Sequence, residues 1–229
     1  MYPFPNLSAS KLALPVLASF LGGCIIVHSD TTRWAQRGSG VRAEVTRDLP
    51  SFHAVELDTA ADVIVHVGGA PRAVVSADDD LLEHVETRVR GGVLEISVER
   101  GYLLRGELRV ELTTPSLDSF SIDGAGDVAI LGVEGSALEL DIDGAGTVRA
   151  EGTVDRLEAE IDGAGTFELG ELDVRNASVS VDGAGSMDLH VSDRLTYRID
   201  GSGELSYTGD PSVSGTVSGA GTVSRRPSR

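Results

Sequence analysis

Asp123-Gly124-Ala125-Gly126 returns as Asp143-Gly144-Ala145-Gly146, Asp162-Gly163-Ala164-Gly165 and Asp182-Gly183-Ala184-Gly185. It then loosens to Asp200-Gly201-Ser202-Gly203 and Ser218-Gly219-Ala220-Gly221. Successive copies start 20, 19, 20, 18 and 18 positions apart. Each tetrapeptide stands between two stretches that alternate apolar and polar. Leu138, Leu140 and Ile142 alternate with Glu139, Asp141 and Asp143 before one corner, and Val148 and Ala150 follow it. Leu157, Ala159 and Ile161 precede the next, with Phe167 and Leu169 after it. Period-two patterning on both arms means that one face of each arm is buried. Val133, Val154, Leu172 and Val191 are single anchors of a third, looser arm.

One such unit cannot bury its own apolar face, but stacked units can, so a fixed period near twenty implies a solenoid. The expected fold is all-β: a right-handed parallel β-helix of about 18–20-residue coils with an N-terminal β capping region. An antiparallel meander would place turn signals every 8–12 residues, with no need for a repeat of double length. Gly124, Gly126, Gly144, Gly146, Gly163, Gly165, Gly183, Gly185, Gly201 and Gly203 let the chain turn by positive φ or close backbone approach. Asp123, Asp143, Asp162, Asp182 and Asp200 are expected to cap the turn by accepting the N–H two residues on. By alternation these carboxylates face outward as a ladder. At a coil spacing of about 4.8 Å neighbours repel by roughly 1 kcal/mol in water.

Upstream, residues 1–23 read as an export signal: Lys11, then the apolar run Leu12 to Leu21, too short to span a bilayer as a helix. Leu21-Gly22-Gly23-Cys24 resembles the bacterial lipobox, in which signal peptidase II cuts before a cysteine that becomes lipidated. Cys24 is the only cysteine, so no internal disulfide forms. One acyl chain anchors only marginally, and the resemblance implies several. Ile25 after Cys24 leans towards an outer-membrane address. Residues 24–44 read as a lipidated N-terminus and flexible tether with Trp34 alone among polar residues, 45–226 as the β-helix domain and 227–229 as a tail. From about Val41 the chain alternates through Val63, Val65 and Val67, and Asp78 to Val85 is expected to form a short helix with an Asp N-cap.

The recurring Asp-Gly-Ala-Gly units, Phe52-His53-Ala54-Val55-Glu56-Leu57 leading to Asp62-Val63-Ile64-Val65, and Val93-Leu94-Glu95-Ile96 after Gly91-Gly92 resemble the head GIN domain family of bacterial adhesin-like proteins. The resemblance spans about residues 45–226. It implies an envelope protein with β-helical repeats, often a lipoprotein, and carries over no catalytic residues.

Composition excludes several functions. A formal net charge of −17, 4% aromatics and a single lysine, Lys11, leave no cationic or stacking surface for nucleic acid and no basic patch for a membrane. Calcium-binding β-rolls place Asp after the glycines at a shorter interval, so solvated Asp is favoured over a calcium ladder, although Ca²⁺ wants six to eight oxygens that stacked Asp would partly supply. Glu139, Asp141, Glu158 and Glu160 form an acidic patch over two coils, which a carbohydrate-active β-helix enzyme would use as paired carboxylates and which otherwise is a solvated face. His53, His66, His84 and His190 lack metal-ligand spacing, and no helix follows the Gly-x-Gly corners. The expectation is a non-enzymatic cell-envelope lipoprotein, an adhesion, recognition or scaffold module, with no catalytic residue, metal or cofactor. Its partners are the membrane through the lipid and a glycan or envelope-protein ligand. Ser224-Arg225-Arg226-Pro227-Ser228-Arg229 is expected to protect the last coil, favouring a capped monomer over a filament.

Overall fold

The computed structural model describes residues 36–99, 102–103 and 106–227. The expected signal segment, Cys24 and Trp34 lie outside them.

Alternation becomes strand wherever it occurs. The elements are β1 (Gln36–Arg37), β2 (Arg42–Asp48), β3 (Ala54–Asp58), β4 (Asp62–Val67), β5 (Arg72–Asp78), β6 (Val85–Arg90), β7 (Val93–Val98), β8 (Tyr102–Leu103), β9 (Arg109–Thr114), β10 (Ser119–Gly163), β11 (Thr166–Gly183), β12 (Ser186–Gly201), β13 (Glu204–Thr208), β14 (Ser212–Gly219) and β15 (Thr222–Arg225). β10 is long because pairing continues around its corners. Stacked coils form a β-solenoid of about four turns.

Arm A, before each corner, and arm B, after it, each build a parallel ladder. On arm A Glu158 stands beside Ser178, Ser178 beside Thr196 and Thr196 beside Ser214. On arm B Glu168, Asp188, Ser206 and Ser224 line up in the same way. The inner rows meet between the arms. Ile122, Leu140, Ile142, Leu157, Ile161, Phe167, Leu169, Leu189 and Leu195 are all essentially inaccessible to solvent. Removing such a side chain from water contributes about 1.5–3 kcal/mol each. The anchors Val133, Val154, Leu172 and Val191 are buried too and close the third side.

The upstream strands extend both ladders in an order the sequence does not show. β3 pairs with the start of β10 on arm A, and β7 pairs with β3 beyond it. β4 and then β9 do the same on arm B. The β7–β9 coil, later in the chain, is therefore outside the β3–β4 coil. Antiparallel strands finish this end: β6 on β7, β5 on β9 and β2 on β5.

Two local expectations are corrected. The helix expected from Asp78 to Val85 is a single 3-10 turn, Leu82–His84, with Leu81 at its N-cap and no side-chain cap. Asp78 ends β5 instead, and Asp79 and Asp80 hold Ser39 through its Oγ (2.5 Å) and its N–H (2.8 Å). Part of the segment read as a tether is thereby engaged by the domain, and β1 within it pairs in parallel with β8.

Candidate functional site

The corner glycines occupy two columns with different physical tasks. Gly124, Gly144, Gly163, Gly183, Gly201 and Gly219 all have φ between +115° and +126°. A Cβ on Gly163 would stand 2.5 Å from the carbonyl oxygen of Gly144 in the coil below, and the contact repeats at Gly183 and Gly201. In the second column a Cβ on Gly165 or Gly185 would strike Ile142 or Ile161 at 2.8 Å, so this glycine admits the core side chain below. The aspartates point outward, Asp162 beside Asp182 and Asp182 beside Asp200. The capping role expected of them is corrected. The N–H two residues on is donated between coils: Ala164 to Gly144 O, Ala184 to Gly163 O and Ser202 to Gly183 O, each at 2.8 Å. The corner is held by the neighbouring coil, and Asp200 instead accepts from Arg198 Nη2 at 3.1 Å.

Glu139, Asp141, Glu158 and Glu160 all lie on the outer face of arm A. Burial, followed by the charges of Glu160, Asp143, Glu139 and Asp162, raises the pKa of Asp141 above the ordinary aspartate range. Glu139, Glu158 and Glu160 are exposed, and Asp141 is half-buried among them. Among the described residues no group of three or more His, Cys, Asp or Glu side chains converges as a metal site requires.

The surface is concave elsewhere. Two adjoining recesses on arm B, of 410 and 640 Å³, share Gly170, Glu171 and Asp188. The first is floored by Ala129, Leu131 and Ala150 and edged by Arg149, Glu151 and Glu168. Arg149 grips Glu168 with two parallel bonds, Nε to Oε2 at 2.6 Å and Nη2 to Oε1 at 3.0 Å. The second adds Asp173, His190, Thr208, Arg226 and Pro227. There His190 Nδ1 is 2.9 Å from Thr208 Oγ1 and its Nε2 is 3.9 Å from Asp173 Oδ1. Asp188 accepts from Ser206 Oγ at 3.1 Å and pairs with Arg226. Gly170 opens the join between the recesses, since a side chain there would approach Asp188. A further 720 Å³ recess along the corner is walled mainly by alanines and glycines, with Asp62 and Glu107 bridged by Arg109 at its mouth.

The sequence reading placed its acidic candidates on arm A and missed this groove. The signal was present in the outward column of arm B, where Ala129, Arg149, Glu168 and Asp188 occupy equivalent positions in successive coils. Charge of both signs gathers there, and the residues change from coil to coil.

Fold and groove together define a β-solenoid with a polar, solvent-facing cleft. The chain belongs to the head GIN domain family: residues 51–211 match the family described as "Putative auto-transporter adhesin, head GIN domain". Among solved structures, an adhesin-like protein from Bacteroides fragilis is 19% identical over 84% of this chain and 100% of its own, with a TM-score of 0.68. A protein from Parabacteroides distasonis described as lipid-binding is 21% identical over 84% and 99%, with a TM-score of 0.52. An adhesin-like protein from Parabacteroides merdae is 18% identical over the same shares, with a TM-score of 0.51. These likenesses concern the fold. No curated protein is similar to the chain in sequence.

Proposed function

We propose that the protein is a non-enzymatic, lipid-anchored recognition module of the bacterial envelope that holds a glycan in the arm B groove. The observation that carries this is the pair of adjoining recesses lined by Arg149, Glu168, Asp188, His190 and Thr208. Fixed carboxylates, a planar guanidinium, an imidazole and a hydroxyl are the groups that hydrogen-bond sugar hydroxyls in paired directions. Two of the groove carboxylates are already held by cations and hydroxyls, Glu168 by Arg149 and Asp188 by Arg226 and Ser206. That arrangement suits binding more than proton transfer, which needs a group free to exchange its proton. The family, described as adhesin, supports export and an envelope address. Cys24 is the proposed site of the anchor.

The test is a glycan-array screen with the full chain carrying Cys24→Ala, followed by variants. Arg149→Ala and Asp188→Ala should each weaken binding at least tenfold, whereas Glu139→Ala with Glu158→Ala on arm A should leave it unchanged. Cleavage of a polysaccharide that disappears on replacing the arm A acids would overturn the reading in favour of an enzyme.

A further inference from the structure

The two ends of the solenoid are finished differently. At the upstream end the edge strands β2 and β6 run antiparallel to their neighbours and carry charges along their length: Arg42, Glu44, Arg47 and Asp48 on one, Glu86, Arg88 and Arg90 on the other. Charged edge strands refuse a further strand. At the other end β14 pairs with β12 on one side only, among the described residues. Its sequence, Ser212-Val213-Ser214-Gly215-Thr216-Val217-Ser218-Gly219, contains no charged residue and no proline.

Among the described residues the expected protection from the C-terminal tail does not reach this strand, because Arg225 and Arg226 are engaged elsewhere. Arg225 pairs with Asp210 at 3.0 Å, and Arg226 with Asp188. Val213 and Val217 occupy the inner row above Leu195 and Ile199, yet they are 41% and 42% exposed. Between them Gly215 leaves room for the ring of Tyr197, itself only partly buried. The core thus reaches solvent at this end.

The strand is also close to a palindrome about Gly215. Read in either direction it gives Ser, Val, a small hydroxyl residue, Gly, a small hydroxyl residue, Val and Ser. We propose that two copies of this chain join end to end through antiparallel β14 strands centred on Gly215. A two-fold axis there sets Ser212 opposite Ser218, Val213 opposite Val217 and Ser214 opposite Thr216 of the second copy. Both valine pairs fall on the inner face and continue the core across the seam. The backbone N–H and C=O groups of the two open β14 edges satisfy each other, and no like charges are opposed between these two strands. The contact is isologous, and the far end of each copy is charged and antiparallel, so assembly closes at the dimer. Eight residues at about 3.4 Å, across two layers about 10 Å apart, make an end face of roughly 300 Å². This is well under the ~800 Å² per partner of a standard interface, so the dimer is weak and depends on concentration. It stands independently of the groove and its ligand.

Sedimentation velocity on the full chain carrying Cys24→Ala tests this, in a mild detergent that shields the apolar residues 12–21. The weight-average mass should rise with concentration towards that of a dimer and go no further. Val213→Glu and Val217→Lys, at exposed positions that leave the melting curve in place, should each hold the chain monomeric. Mixing the two variants should restore dimers, because a heterodimer sets the introduced carboxylate opposite the introduced ammonium across one pair and keeps both valines in the other. A monomer at every concentration, growth beyond the dimer, or variants that dimerise separately as well as together would overturn the proposal. Failure of the mixture to recover would overturn the register.

Discussion

Gly124 and Gly163 share a backbone angle and differ in what lies beneath them. Both have φ +125°, yet a Cβ on Gly124 would meet nothing within 4 Å, whereas one on Gly163 would stand 2.5 Å from Gly144 O. Gly124 lies above the corner of the β3–β4 coil, where the chain reads Thr59-Ala60-Ala61 instead of the tetrapeptide. Gly124→Ala therefore meets the conformational penalty alone, about 1–3 kcal/mol. Gly163→Ala adds a backbone collision that relaxes only if the coils part, at the cost of the Ala164 N–H to Gly144 O bond. Its destabilisation should exceed that of Gly124→Ala by about 1–3 kcal/mol, the cost of a buried backbone group left unpaired. Urea unfolding of the two variants side by side measures the difference. Equal losses would show that the φ requirement explains the glycine column without the close approach.

At the level of the arm, parallel stacking sets like residues above like, and arm A meets the electrostatic cost at Asp141. Its pKa is raised by burial first and then by Glu160, Asp143, Glu139 and Asp162, so the folded chain holds this proton more tightly than the unfolded chain does. The resulting stabilisation is complete below the ordinary aspartate range and is lost as pH rises through the raised value. At neutral pH the ionised group is a net cost. Asp141→Asn should therefore stabilise the protein at pH 7 by about 0.5 kcal/mol, allowing for solvent screening. The gain should vanish in acid and shrink in high salt, as thermal melts across pH and ionic strength will record. An Asn variant no more stable at pH 7 would mean that the carboxylates splay far enough into water to avoid one another. The same stacking explains what was legible in the sequence. Alternation assigns each side chain to a face, so the inner rows, the corners and the anchors from Val133 to Val191 could be read directly. It does not say which strand lies alongside. Hence the reversed order of the β3–β4 and β7–β9 coils was hidden, as were the antiparallel strands that finish them. The corner hydrogen bonds were misassigned to Asp for that reason too, because their acceptor is a glycine about twenty residues away. The groove was readable only down the columns, by comparing Arg149, Glu168 and Asp188 across coils.

For the molecule as a whole, charge and length together limit how it can be held at a membrane. The formal net charge is −17, so an anionic leaflet repels the chain, and the arm A ladder strengthens that repulsion. Among the described residues no helix is long and apolar enough to cross a bilayer. The apolar run from Leu12 to Leu21 is itself short of a span. On the proposal that Cys24 carries the anchor, a single chain would give only marginal binding, so more than one acyl group is expected there. Confinement to a surface would also raise the effective concentration of neighbouring copies, which is the condition under which a weak β14 seam becomes populated. These steps converge on one experiment. Cells expressing the protein are grown with an alkyne-tagged fatty acid, and the label is read on the purified chain. The natural sequence should carry label and Cys24→Ala none, and the mass of the labelled N-terminal peptide should correspond to cleavage before Cys24 with more than one acyl chain attached. Label that persists in Cys24→Ala, or an unlabelled natural chain that still sediments with membranes, would show that something other than this cysteine attaches the protein.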